Sequence, residues 1–189
     1  MIISISGAHG SGKSTVAEKL ALILGWPRYY MGGLRREAAK KRGMTLAEYN
    51  KLGENDPLTD QEVDDYQKEL GETRDNFIIE GRTSWFFIPH SLKLYLDVED
   101  GEGSRRIFRQ LQSKNDRNED KELMSQEAVE QSLHKRLESD RLRYKKYYNI
   151  DVNDKKHFDF YLDTTKMTPE EVLERVLECV KNSLDNTKN

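Results

Sequence analysis

The run from Ile2 to Leu24 limits this chain more than any other. Ile2-Ile3-Ser4-Ile5-Ser6 is short, apolar, β-branched and ends at a glycine, which suits a strand buried on both faces of a parallel sheet. Gly7-Ala8-His9-Gly10-Ser11-Gly12-Lys13-Ser14 comes next, and then Val16, Ala17, Leu20 and Leu24 recur at helical spacing until Gly25 stops them. A buried strand, a glycine-rich turn and a helix in direct succession form a cradle for phosphate. Glycine lets the backbone turn its N–H groups inward, and the start of the helix adds its positive end. A lysine at position 13 reaches the outer phosphates of a nucleoside triphosphate, and the Ser14 hydroxyl is placed to sit on Mg2+. Gly7, Ala8, His9, Gly10, Ser11, Gly12, Lys13, Ser14 and Thr15 are therefore the expected triphosphate-binding residues, with His9 read as a spacer and not as a base.

Four more strands are expected: a short extended piece around Pro27 to Met31, Phe77-Ile78-Ile79 ending at Glu80, Leu92 to Val98, and Phe158 to Leu162. Helical patterns cover 34–42, 46–52 and 61–70, the last two opened by the capping boxes Thr45/Glu48 and Thr59/Glu62. Trp85-Phe86-Phe87 reads as the apolar opening of a packing helix. From residue 104 to about 148 the chain is helical and very highly charged, with a polar break at 114–118. Thr168, Pro169 and Glu171 then start a last helix. This order describes a parallel α/β sandwich with one helical insertion after the second strand and another before the fifth.

The chain has 189 residues, 34% of them charged, and a net charge of −3. That length is enough for one full α/β core. The overall charge argues against a generic binder of nucleic acid, so any anion site must be a local gathering of arginines. The single cysteine, Cys179, allows no internal disulfide and is expected to be a buried thiol on the last helix. His90, His134 and His157 lack metal-ligand spacing. No apolar stretch approaches a membrane span and the opening residues lack a basic region, so a cytoplasmic protein without a membrane partner is expected. No Asn-Lys-x-Asp pattern for guanine is present, and Glu80-Gly81-Arg82 is not a GTPase switch sequence.

The arginines narrow the chemistry. Arg35 and Arg36 lie just after Gly32-Gly33, and Arg82 ends the strand at Glu80, at the carboxyl edge where parallel sheets bind ligands. Arg136, Asp140 and Arg143 are spaced i, i+4 and i+7, so they share one helix face, and Asp140 can orient both arginines. Several guanidiniums converging on one edge suit a second phosphate group besides the triphosphate. Arg35, Arg42 and Arg141 are expected to be solvated.

With these residues in place, the chain resembles the nucleoside monophosphate kinases, and among them the short archaeal-type cytidylate kinases. The resemblance rests on the phosphate loop, Gly32 to Arg36, Arg42-Gly43-Met44-Thr45-Leu46, Asn55-Asp56-Pro57, Glu80-Gly81-Arg82 and the stretch from Arg143 to Asp151. It implies a three-layer P-loop fold of α/β class with five parallel strands in the order 2-3-1-4-5. The core would comprise 1–31, 73–109 and 150–185, with a monophosphate-binding insertion at 32–72 and a lid at about 110–125. It implies ATP and Mg2+ as cofactors and a small nucleoside monophosphate as the partner of a monomeric enzyme. Lys13, Arg136 and Arg143 would be catalytic. Arg36, Arg82, Arg136, Asp140 and Arg143 would bind the acceptor, and Ser14, with Glu80 through water, would hold the metal.

Two departures fall on base selection. The Ser-x-Gly-Asp that often precedes the acceptor arginine reads Tyr30-Met31-Gly32-Gly33, and the aspartate that follows Gly-Arg in bacterial cytidylate kinases is Thr83. A kinase for another small acceptor and a P-loop regulatory protein with slow hydrolysis stand as the alternatives.

Overall fold

The computed structural model describes residues 1–113 and 123–186. β1 (Ile2–Gly7) is buried along its whole length and lies at the centre of a five-stranded sheet. β2 (Arg28–Tyr30), β3 (Phe77–Glu80), β4 (Leu92–Asp97) and β5 (Phe160–Asp163) complete it in the order β2-β3-β1-β4-β5, every pair parallel. The expected sheet, its strand order and its class are all present. Because all strands run one way, their carboxyl ends share one edge, and Gly7, Glu80 and Asp97 end there.

Alternation along β1 divides the core. Ile3 and Ile5 face Val16 and Leu20 of α1 (Lys13–Leu24) and Val172, Val176 and Val180 of α8 (Pro169–Asn186). Ile2 faces the other way, together with Phe77, Ile79, Ile88 and Leu70. The two serines of β1 are satisfied on that second side: Ser91 Oγ donates to Ser4 at 2.8 Å, and Ser6 donates to the Gly81 carbonyl. A strand enclosed by helices on both faces leaves no other home for these hydroxyls.

Three helices follow β2: α2 (Met31–Lys41), α3 (Leu46–Gly53) and α4 (Leu58–Thr73). The Thr45/Glu48 capping box forms at α3, and the box at Thr168/Glu171 forms at α8. The one expected from Thr59 and Glu62 does not form. Pro57 and the Asp56 carboxylate, which accepts from Leu58 N at 3.0 Å, start α4 one turn earlier. Thr59 is thereby drawn inside the helix and donates to the Asp56 carbonyl at 3.0 Å.

After β3 comes the four-residue α5 (Ser84–Phe87), with Trp85 buried. α6 (Asp100–Leu111) begins earlier than expected because Gly101 and Gly103 interrupt its apolar periodicity. α7 (Gln126–Tyr148) is the long charged helix. β5 starts two residues late, because Phe158 packs against Trp85 and Tyr95 in the preceding loop. Cys179 is half-buried against the core, and burial pushes its thiol up. Among the described residues no helix is long and apolar enough to cross a membrane. The polar break at 114–118 and most of the expected lid lie outside the described residues.

Candidate active site

The loop between β1 and α1 takes its shape from glycine. Gly10 and Gly12 are left-handed, with φ of 78° and 89°. A Cβ on Gly7 would lie 1.9 Å from the Leu96 carbonyl oxygen, and one on Gly10 would lie 2.4 Å from that of Gly103. The approach between loop and α6 is mutual, since a Cβ on Gly103 would lie 2.5 Å from the His9 carbonyl oxygen. Gly12 caps α1 without any side-chain hydrogen bond, and no acid sits in the first turn. The first N–H groups of α1 and its positive end are therefore left for an anion.

Lys13 and Ser14 line the cleft above this loop. The Lys13 ammonium donates to the Ala8 carbonyl. The Ser14 hydroxyl donates to Glu80, which also pairs with Arg28 at 2.8 Å. Arg28 was not anticipated. It opens the short edge strand β2, whose register sets Tyr30 beside Glu80.

Arg106 of α6 brackets the far side of the loop, donating at 2.8 Å to the Thr164 carbonyl and at 3.4 Å to that of Gly10. Arg105 and Arg106 both grip Glu102 and hold its carboxyl down at about 2.

One continuous cleft of about 1250 Å3 runs from the phosphate loop to the inner faces of α2, α4 and α7. Arg36, Arg82, Arg136 and Asp140 line it. Arg36 is buried and donates to the Tyr30 hydroxyl at 2.7 Å. The Tyr30 ring lies across Gly32 and Gly33, within 2.8 Å of where either would carry a Cβ. Arg82 pairs through Nε with Asp140 at 3.0 Å and lies against the His9 ring, so His9 touches the second group of arginines. Burial pushes the Asp140 carboxyl up, but Arg82, Arg143 and Arg136 outweigh it and hold it below the usual range.

Two arginines differ from expectation. Arg143 is not among the lining residues but is wholly enclosed, bridging Asp60 of α4 and Asp140 of its own helix. Arg35 is not solvated. It is buried, donates to Asn50 at 2.7 Å and pairs with Asp60. Arg141 and Arg42 are exposed, as expected.

Asp60, Asp64 and Gln67 went unnoticed in the sequence. They recur at i, i+4 and i+7 on α4 and share a face with apolar Val63 and Leu70. Polar residues on the buried face of an amphipathic helix were the available signal. Burial pushes the Asp64 carboxyl up to about 7, against the hydrogen bond from Tyr148 that pulls it down.

Residues 2–166 match the cytidylate kinase-like family. The chain is 35% identical over 185 residues to a cytidylate kinase of Natronomonas pharaonis, covering 97% of this chain and 90% of that protein. It is 31% identical over 181 residues to a cytidylate kinase of Methanobrevibacter smithii, covering 96% and 99%. In fold it is similar to a shikimate kinase from Bacteroides thetaiotaomicron, with a TM-score of 0.62 at 15% identity over 96% of this chain and 98% of that one.

Proposed function

This chain belongs to the cytidylate kinase-like family and is a nucleoside monophosphate kinase, and from that premise we propose that it transfers the γ-phosphoryl group of ATP to the 5′-phosphate of CMP or dCMP. The observation that carries the proposal is the single cleft. At one end lie the uncapped start of α1 and Lys13, and along the same cleft, beyond them, lie Arg36, Arg82 and Arg136. Two anionic substrates can therefore meet within one cavity.

An acceptor phosphate is already ionised, so the reaction needs no strong base. Catalysis is positioning and charge neutralisation. The loop and Lys13 hold the β- and γ-phosphates. Arg36 and Arg82 fix the acceptor phosphate in line, and Arg136 faces the transferring group. Residues 32–72 form the acceptor-binding insertion. Asp140 holds Arg82 in place, and Arg143 contributes by fixing Asp140.

Mg2+ suits the donors present, because the Ser14 hydroxyl and Glu80 carboxylate already meet beside the loop and both are oxygen groups. Among the described residues no cluster of three carboxylate, histidine or cysteine side chains could hold a metal unaided, so substrate phosphates would complete the shell. When bound, the ion would neutralise charge on the triphosphate.

A coupled assay of ADP release across CMP, dCMP, UMP, AMP, GMP and dTMP tests the proposal. Turnover that depends on CMP or dCMP supports it. Dependence on another monophosphate corrects the acceptor, and slow hydrolysis independent of any acceptor overturns it.

A further inference from the structure

The acceptor side of the cleft carries a buried polar stripe that phosphoryl transfer does not need. Asp60 of that stripe is occupied by Arg35 and Arg143. Asp64 and Gln67 form a separate, fixed unit that also lines the cleft. Gln67 has no exposed surface, and its amide is held from both sides. Ser84 Oγ donates to its oxygen at 2.7 Å, while its nitrogen lies 3.3 Å from both Asp64 Oδ1 and Thr83 Oγ1. The Tyr148 hydroxyl donates to the other Asp64 oxygen.

An ionised carboxylate offers about four acceptor positions, and these contacts fill two. The rest belong to a carboxylate that is 5% exposed and borders the cleft. Burying such a group without full compensation is unfavourable unless a ligand completes it. Thr83 directly follows Arg82 and touches Gln67, so this unit adjoins the guanidinium given to the acceptor phosphate.

We propose that Asp64, held by Gln67 and Tyr148, selects the acceptor base by accepting a hydrogen bond from the exocyclic amino group of a 4-aminopyrimidine. A 4-oxopyrimidine sets a carbonyl against the carboxylate, so two acceptors face each other and neither is satisfied. The inference rests on the proposed function, because it takes Arg82 to hold the acceptor phosphate.

The test compares CMP with UMP at pH 8, where the Asp64 carboxyl is ionised, in the wild type, Asp64→Asn and Gln67→Met. Asparagine keeps the shape and an oxygen for Tyr148, but it can turn an N–H toward a 4-oxo group. The ratio of kcat/KM for CMP to that for UMP is expected to fall about 10-fold or more in Asp64→Asn, with the KM for ATP unchanged. Gln67→Met, which releases one side of Asp64, should lower the ratio less. A folded Asp64→Asn with the wild-type ratio overturns the inference. If Asp64→Asn does not fold, an unchanged ratio in Gln67→Met overturns it equally. A wild type that phosphorylates purine monophosphates and neither pyrimidine overturns the proposed function, and the inference with it. A wild type that prefers CMP while both variants keep its ratio overturns the inference alone.

Discussion

Arg143 of α7 and Asp60 of α4 form an enclosed ion pair in which one guanidinium nitrogen meets both carboxylate oxygens. Eighty-three positions separate the two residues. Their pairing fastens α4, within the segment following β2, to the helix that carries Arg136 and Asp140. Arg35 joins the same carboxylate from α2, so three helices meet at Asp60.

Arg143→Ala should therefore act first on stability. It leaves Asp60 and Asp140 buried with less countercharge, and breaking a buried pair from one side costs about 3–5 kcal/mol. Urea unfolding should show that loss. Arg141→Ala, on the exposed side of the same helix, should stay within about 0.5 kcal/mol of wild type. Equal stabilities for the two variants would contradict the role given to Arg143.

Arg36→Ala and Arg35→Ala should separate cleanly. Arg36 reaches the cleft from beneath Tyr30, so its loss should raise the KM for the monophosphate at least about 10-fold, and that for ATP much less. Arg35 is fastened to Asn50 and Asp60, so its loss should lower the melting temperature as well. Steady-state kinetics paired with thermal melts would distinguish them.

Lys13→Ala should cut kcat by about 100-fold or more while leaving the fold intact. The ammonium lies over the loop and the cleft, not in the apolar core. Near-normal turnover by a folded variant would remove the phosphate loop from the mechanism.

Asp64 should make stability fall as pH rises. Its folded carboxyl titrates at about 7 against a usual value of 3.8, so between those values the folded chain binds the extra proton. Stability is then lost as pH climbs through this window, and the loss is complete above the folded value. Asp64→Asn removes the dependence. Its stability relative to wild type should be greater at pH 8 than at pH 5 by roughly 2–3 kcal/mol. Parallel pH profiles for the two proteins would rule this out.

What could be read in advance was whatever local chemistry decides. The left-handed glycines of the phosphate loop and the boxes at Thr45 and Thr168 are complete within a few residues, and they form as the sequence implies. The box at Thr59 is local too, but Pro57 and Asp56 compete for the same helix start and win. The shared face of Arg136, Asp140 and Arg143 was legible from spacing. Which member turns inward was not, because that depends on Asp60, far away in the chain. Asp64 and Gln67 were missed for a related reason. Val63 and Leu70 mark the face they share, but on a helix as polar as α4 that signal is weak, and only the packing of α5 and α7 fixes these side chains as buried.

Gly10 and Gly103 meet backbone to backbone, with no room for a methyl group between the loop and α6. Side chains normally form a cushion that absorbs small displacements by changing rotamer, and that cushion is missing here. The joint behaves like a rigid linkage. If the loop tightens around a phosphate, α6 must travel with it, and Arg105 and Arg106, which grip Glu102 on that helix, are carried along. A displacement at the start of α1 would thus be passed to the other wall of the cleft through backbone contact alone.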